Sequence, residues 1–84
     1  MKLRQTLSKP VHGYWDGGEK QVFDWEIDRQ PQTDNKGQYV RVGSFEANHW
    51  FHVALGKTDK LTLSYAKRHL QAATHLPSTF EYVD

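Results

Sequence analysis

The chain has 84 residues, of which 37% are hydrophobic, with 11 basic and 10 acidic side chains, a formal net charge of +1 and no cysteine. That length makes a single domain with a thin core, and the lack of cysteine excludes disulfide staples and thiolate chemistry. The balanced charge is no nucleic-acid footprint by itself, and no apolar run approaches the roughly 18 residues that span a bilayer. Three Trp, four Tyr and four Phe must supply much of the core. Met1–Gln5 carries two positive charges with no apolar stretch behind them, which is not a signal-peptide pattern. A cysteine-free chain without such a leader is expected to be cytoplasmic.

Residues 1–10 are polar and read as a flexible N-terminal arm, leaving 11–84 as one α+β domain. Val11–Trp15 is a short strand candidate. Asp16-Gly17-Gly18 suits a tight hairpin turn, because glycine accepts positive φ without steric cost. Gln21–Asp28 is the partner strand: Phe23, Trp25 and Ile27 share one face, while Asp24, Glu26 and Asp28 share the other. Pro31 ends it. Residues 30–37 are a polar loop with its tip at Asn35-Lys36-Gly37. Gln38–Glu46 is a third strand, with Gly43 marking a bulge or a close approach. Ala47-Asn48 turns into a fourth, His49–Leu55.

A helix follows. Thr62, directly before Leu63, is the N-cap candidate, with Thr58 as the alternative one turn earlier. Leu61 and Ala66 then stand at the positions of a hydrophobic staple. At about 100° per residue, Leu63, Ala66, Leu70 and Ala73 fall on one side, with Ser64, Lys67, Arg68 and Gln71 opposite. Pro77 stops the helix. Thr79–Val83 is a final strand able to return along a sheet edge. The order β-β-β-β-α-β predicts an antiparallel sheet of four to five strands with one amphipathic helix on one face.

One helix covers one face. Phe23, Trp25 and Ile27, Val40 and Val42, and Phe51, Val53 and Leu55 form the face turned to it, and a bulge at Gly43 would return Phe45 there as well. The open face then carries Asp24, Glu26, Asp28, Tyr39, Arg41, Trp50 and His52, with a cross-strand Glu26–Arg41 pair.

Four constellations are chemically suggestive. Tyr39, Trp50 and His52, with Arg41 beside them, form a patch suited to docking a partner, because exposed aromatics anchor interfaces. The plain alternative is that the chain's own termini cover it. The row Asp24–Glu26–Asp28 could hold a divalent ion, but such a row is more often the solvated side of a half-buried strand. His49 and His52, three apart on a strand, fall on opposite faces and cannot share a metal. His69, on the apolar half of the helix, reads as a packed, hydrogen-bonded histidine. Lys60, Lys67 and Arg68 on the helix could contact phosphate. No nucleophile elbow, phosphate-binding glycine loop or zinc-protease motif is present. These patterns lead us to expect a small non-enzymatic binding protein without metal or cofactor. Its partner is another protein or a second copy of itself, and the alternative is a nucleic-acid-binding module that uses the open sheet face or the basic helix face.

Overall fold

Leu3, Gln5 and Leu7 alternate with Lys2, Arg4 and Thr6, and this period of two builds the N-terminal segment into the sheet. The structure is a computed structural model that describes residues 2–12, 18–28, 30–74 and 76–83. Its first strand, β1, spans Lys2–His12 and lies between β2 (Glu19–Ile27) and the last strand. The flexible arm expected over residues 1–10 is therefore corrected. Leu3 and Leu7 are buried, and so is the amide of Gln5, the residue that made the segment look polar. Val11 and His12 end β1 rather than begin a strand, pairing with Lys20 and Glu19, and Trp15 lies outside the described residues. The register of β1 against β2 shifts between Thr6 and Val11, where Pro10 has no N–H for a ladder.

The expected loop tip is a turn at Asn35-Lys36, with Gly37 at φ +128° and Asp34 Oδ1 accepting from the Lys36 N–H at 2.8 Å. The loop around it also pairs. Gln32–Asp34 is a short strand, β3, against the start of β4 (Gly37–Ser44). β5 (His49–Ala54) runs antiparallel to β4 in unbroken register, from Tyr39 opposite Ala54 to Ser44 opposite His49. Gly43 is thus a close approach and not a bulge. The chain leaves the sheet after Ser44, so Phe45 lies in the β4–β5 turn, 74% exposed, instead of on the inner face.

The helix, α1, spans Asp59–Ala73. Its cap is Thr58, whose hydroxyl accepts from the Leu61 N–H at 3.1 Å, with Asp59 in the first turn favouring the positive end of the helix dipole. Thr62 is inside the helix and fully buried. Its hydroxyl accepts from the Gly56 N–H at 2.9 Å and donates to the Thr58 carbonyl at 3.1 Å. The staple expected at Leu61 and Ala66 falls with that cap, and Leu61 instead packs close against Gly56. Leu63, Ala66 and Leu70 are buried as the wheel requires, while Ala73 is exposed. The last strand, β6 (Ser78–Val83), pairs antiparallel with β1.

The protein is therefore one helix on an antiparallel sheet, the α+β fold expected from the element order. β4 holds β5 along one side and is shared on the other between β3 and β2; β1 and β6 complete the sheet. The helix touches both β5 and β6, the sheet's two ends, so the sheet curls around it. Phe23 and Trp25 on β2 fill the interior this curl creates, packed with Leu3, Leu7, Val40, Val42 and Val53. Gln5 organises its polar part. Its Nε2 donates to Thr74 Oγ1 and Ser78 Oγ, both at 3.2 Å, and its Oε1 accepts from Trp25 Nε1 at 3.0 Å. One amide thus ties the end of α1, the start of β6 and the largest core ring together.

Candidate functional site

The strand pairing decides which side chains share the face away from α1. Arg4 opposes Asp24 and Glu81, Lys2 opposes Glu26, Glu26 opposes Gly43, and Gly43 and Arg41 oppose Trp50 and His52. Directly paired residues lie on the same side of a sheet. The expected open-face set is Asp24, Glu26, Asp28, Tyr39, Arg41, Trp50 and His52; the strand pairing assembles it on one surface, with Asp28, just past the end of β2, joined to it through Arg41. Both ends of the described chain are built into the sheet as β1 and β6, so neither folds over that surface.

The face has two unlike halves. Over β6, β1 and β2 it is a lattice of ion pairs. Arg4 Nε meets Asp24 Oδ1 at 2.9 Å and its Nη2 donates to Oδ2 at 3.4 Å, while Nη1 lies 3.8 Å from Glu81. Lys2 pairs with Glu26 at 3.4 Å. The hydrogen bond from Arg4 holds the Asp24 carboxyl below the usual carboxylate range; desolvation opposes this, and the nearby positive charges of Arg4 and Lys2 add to it. The same bond raises the Arg4 guanidinium further. The acidic row is therefore spoken for by cations. Among the described residues no group of three His, Asp or Glu side chains is placed to hold a metal ion.

The expected Glu26–Arg41 pair is not formed. Arg41 Nη2 instead reaches Asp28 Oδ2 at 3.5 Å, and the Asp28 N–H donates to the Arg41 carbonyl at 2.7 Å. The reason is topological. β3 occupies the first part of β4, so β2 pairs with β4 only at Glu26–Gly43 and Ile27–Val42.

Over β4 and β5 the face is aromatic. Tyr39 and His52 meet edge to face with centroids 5.0 Å apart, and the Tyr39 hydroxyl donates to Gln32 Oε1 at 2.8 Å. Trp50 stands apart from that pair, further along the strand. Its indole packs against Gly43, in the space where a Cβ would collide with Trp50 Cδ1 and Nε1. Trp50 remains 46% exposed, and Phe45 stands beside it. Together with Arg41, Asp28 and Glu26 they line a shallow groove of about 280 Å³. Phe45 is the site residue that strand alternation misses, because alternation through a bulge at Gly43 puts it on the inner face. The signal for it is Asn48, whose positive φ of 50° closes the turn beginning at Phe45.

The histidines separate as the strand geometry requires. His49 faces inward, edge-on to Trp25 at 6.2 Å, and His52 faces outward. His69 is exposed and stacks on Phe51 at 4.2 Å, a contact at the rim of the core rather than inside it. On the helix, Lys60 Nζ lies 5.7 Å from the Tyr82 ring and Lys67 Nζ lies 5.8 Å from the Phe80 ring. These two lysines lean over β6, and Arg68 is exposed. No described helix is long and apolar enough to cross a membrane. Comparison of the chain with protein-family models, with curated proteins and with solved structures finds no match.

Proposed function

We propose that this protein is a small non-enzymatic binding module that acts through protein–protein contact at the aromatic half of its open sheet face. The observation that carries the reading is the groove between Trp50 and Phe45. Two large aromatic side chains, 46% and 74% exposed, stand side by side with Arg41 on a surface that no described element covers. Aromatic rings and arginine are the side chains most enriched at the energetic centres of protein interfaces. Tyr39 and His52 extend the same surface along β4 and β5.

The nucleic-acid alternative has less support. On the open face, Asp24, Glu26, Asp28 and Glu81 place carboxylates where phosphates would approach. On the helix, Lys60 and Lys67 are turned onto aromatic rings of β6.

The test is crosslinking in the host cell followed by mass spectrometry, with the wild type, Phe45→Ser/Trp50→Ala and Lys67→Ala/Arg68→Ala compared. A protein captured by the wild type and by the helix variant, but lost with the groove variant, is the expected result. Capture unaffected by the groove variant would sink the proposal. Salt-sensitive binding of oligonucleotides that depends on Lys67 and Arg68 would replace it with the alternative.

A further inference from the structure

The outer side of β6 pairs with no strand among the described residues, since β6 bonds only β1. Edge strands are ordinarily blunted by proline, lysine, a bulge or shortness. β6 has none of these. Its register with β1 is unbroken from Ser78 to Val83, and its one charged side chain within that span, Glu81, is already offset by Arg4 at 3.8 Å. We propose that β6 is a self-pairing edge that joins two copies of this chain antiparallel, with Phe80 on the two-fold axis.

The register follows from side-chain fit. With Phe80 opposite Phe80 of the second copy, Ser78 faces its Tyr82 and Thr79 faces its Glu81. Among the paired strand residues no like charges oppose each other, whereas centring the axis on Glu81 would set two carboxylates face to face. On the helix side, Tyr82 projects from β6 with 38% of its surface exposed. Beside Ser78 lies a groove of about 330 Å³, walled by Gln71 of α1 and its C-cap Thr74, by Leu76 and Pro77, and by Phe80. The Tyr82 opposite Ser78 enters that groove. The operation is two-fold, so each copy presents one such ring and one such groove, which is the self-complementarity an isologous dimer needs. Lys60 and Lys67, lying over Tyr82 and Phe80, cover the seam from above.

This surface is distinct from the Trp50 groove, and the two proposals stand or fall separately. The chain has no cysteine, so single introduced thiols report proximity without background. Thr79 and Glu81 are both exposed. Directly opposed residues of an antiparallel pair lie within the Cα spacing a disulfide accepts. A mixture of Thr79→Cys and Glu81→Cys proteins is expected to form the mixed disulfide well above the level of either homodisulfide. Tyr82→Ala should weaken association at least tenfold by sedimentation equilibrium. A protein that stays wholly monomeric at about 1 mM, where a contact of about 0.1 mM Kd is roughly four-fifths assembled and even one of about 1 mM Kd is half assembled, would overturn the proposal. So would a homodisulfide of Glu81→Cys that outruns the mixed one. Crosslinking of Trp50→Cys alone would place self-association on the open face and equally overturn it.

Discussion

Gln5→Leu isolates the one buried polar group on which three elements converge. Gln5 is 3% exposed, and its amide makes three hydrogen bonds, accepting from Trp25 Nε1 and donating to Thr74 and Ser78. Leucine fills similar space but leaves the Trp25 N–H without an acceptor in an interior that water does not reach. An orphaned donor in such a place costs about 1–3 kcal/mol. The two hydroxyls lose less: the Ser78 hydroxyl keeps its bond to the Leu76 carbonyl at 3.3 Å. Replacing the amide with methyl groups returns roughly 1 kcal/mol of apolar burial. With the smaller loss at the hydroxyls included, the net loss is about 0.5–2 kcal/mol, read in thermal unfolding as a fall of about 2–16 °C for a domain of this size. Trp25→Phe strips the donor instead and also leaves a cavity, for a loss of roughly 2–4 kcal/mol. The double variant removes both partners, so it should be about 1–2 kcal/mol more stable than the sum of the singles predicts. Additivity within about 0.5 kcal/mol, or a Gln5→Leu protein as stable as the wild type, would refute the view that this amide is held by Trp25.

Two further outcomes follow from the open face. Gly43→Ala puts a methyl group into the Trp50 ring and should swing the indole off the sheet, with a red-shifted Trp emission and a loss of about 1–3 kcal/mol, largely relieved by adding Trp50→Ala. For acid stability the sign is set by Asp24: its folded-state carboxyl lies below its unfolded value, so its contribution is complete above the ordinary carboxylate range and disappears as pH falls through the lowered folded value. Arg4→Met should therefore raise the Asp24 titration measured by NMR and flatten the acid limb of the stability curve, and an unmoved Asp24 titration would show that Arg4 is not the cause.

The elements with a clean period were legible from residues alone. Phe23, Trp25 and Ile27 alternate against three carboxylates, and Leu63, Ala66 and Leu70 recur at helical spacing, so both the sheet face and the helix that covers it could be derived. β1 was hidden because its central inward position is a glutamine. An amide reads as solvent-facing until its three partners, distant in sequence, are brought to it. The helix cap shifted by one turn because two threonines compete for it, and the local signal in favour of Thr58 is Asp59 beside it. The site divides the same way. Tyr39, Arg41, Trp50 and His52 were placed on one face by alternation within their own strands. The ion-pair partner of Arg41 was not accessible, since it depends on how β3 limits the contact between β2 and β4. Phe45 is lost to a turn that starts two residues earlier than strand propensity suggests.

The distribution of ion pairs bears on where the proposed partner would dock. An antiparallel sheet may leave one face to water, provided that face is polar. Around β1 this condition is met: Lys2, Arg4, Asp24, Glu26 and Glu81 neutralise one another and carry the surface without help. The Arg41–Asp28 pair marks the border. Beyond it the same sheet turns aromatic on β4 and β5. Trp50 and Phe45 stand on the side away from the helix and the buried core. Gly43 strengthens the point. A glycine inside a strand weakens it, and here it leaves the backbone bare so that the Trp50 indole can occupy the space a Cβ would need, while the residue stays 46% exposed. A residue placed at a cost to its own strand, holding an aromatic surface toward solvent, is the kind of local inconsistency at which binding sites are found.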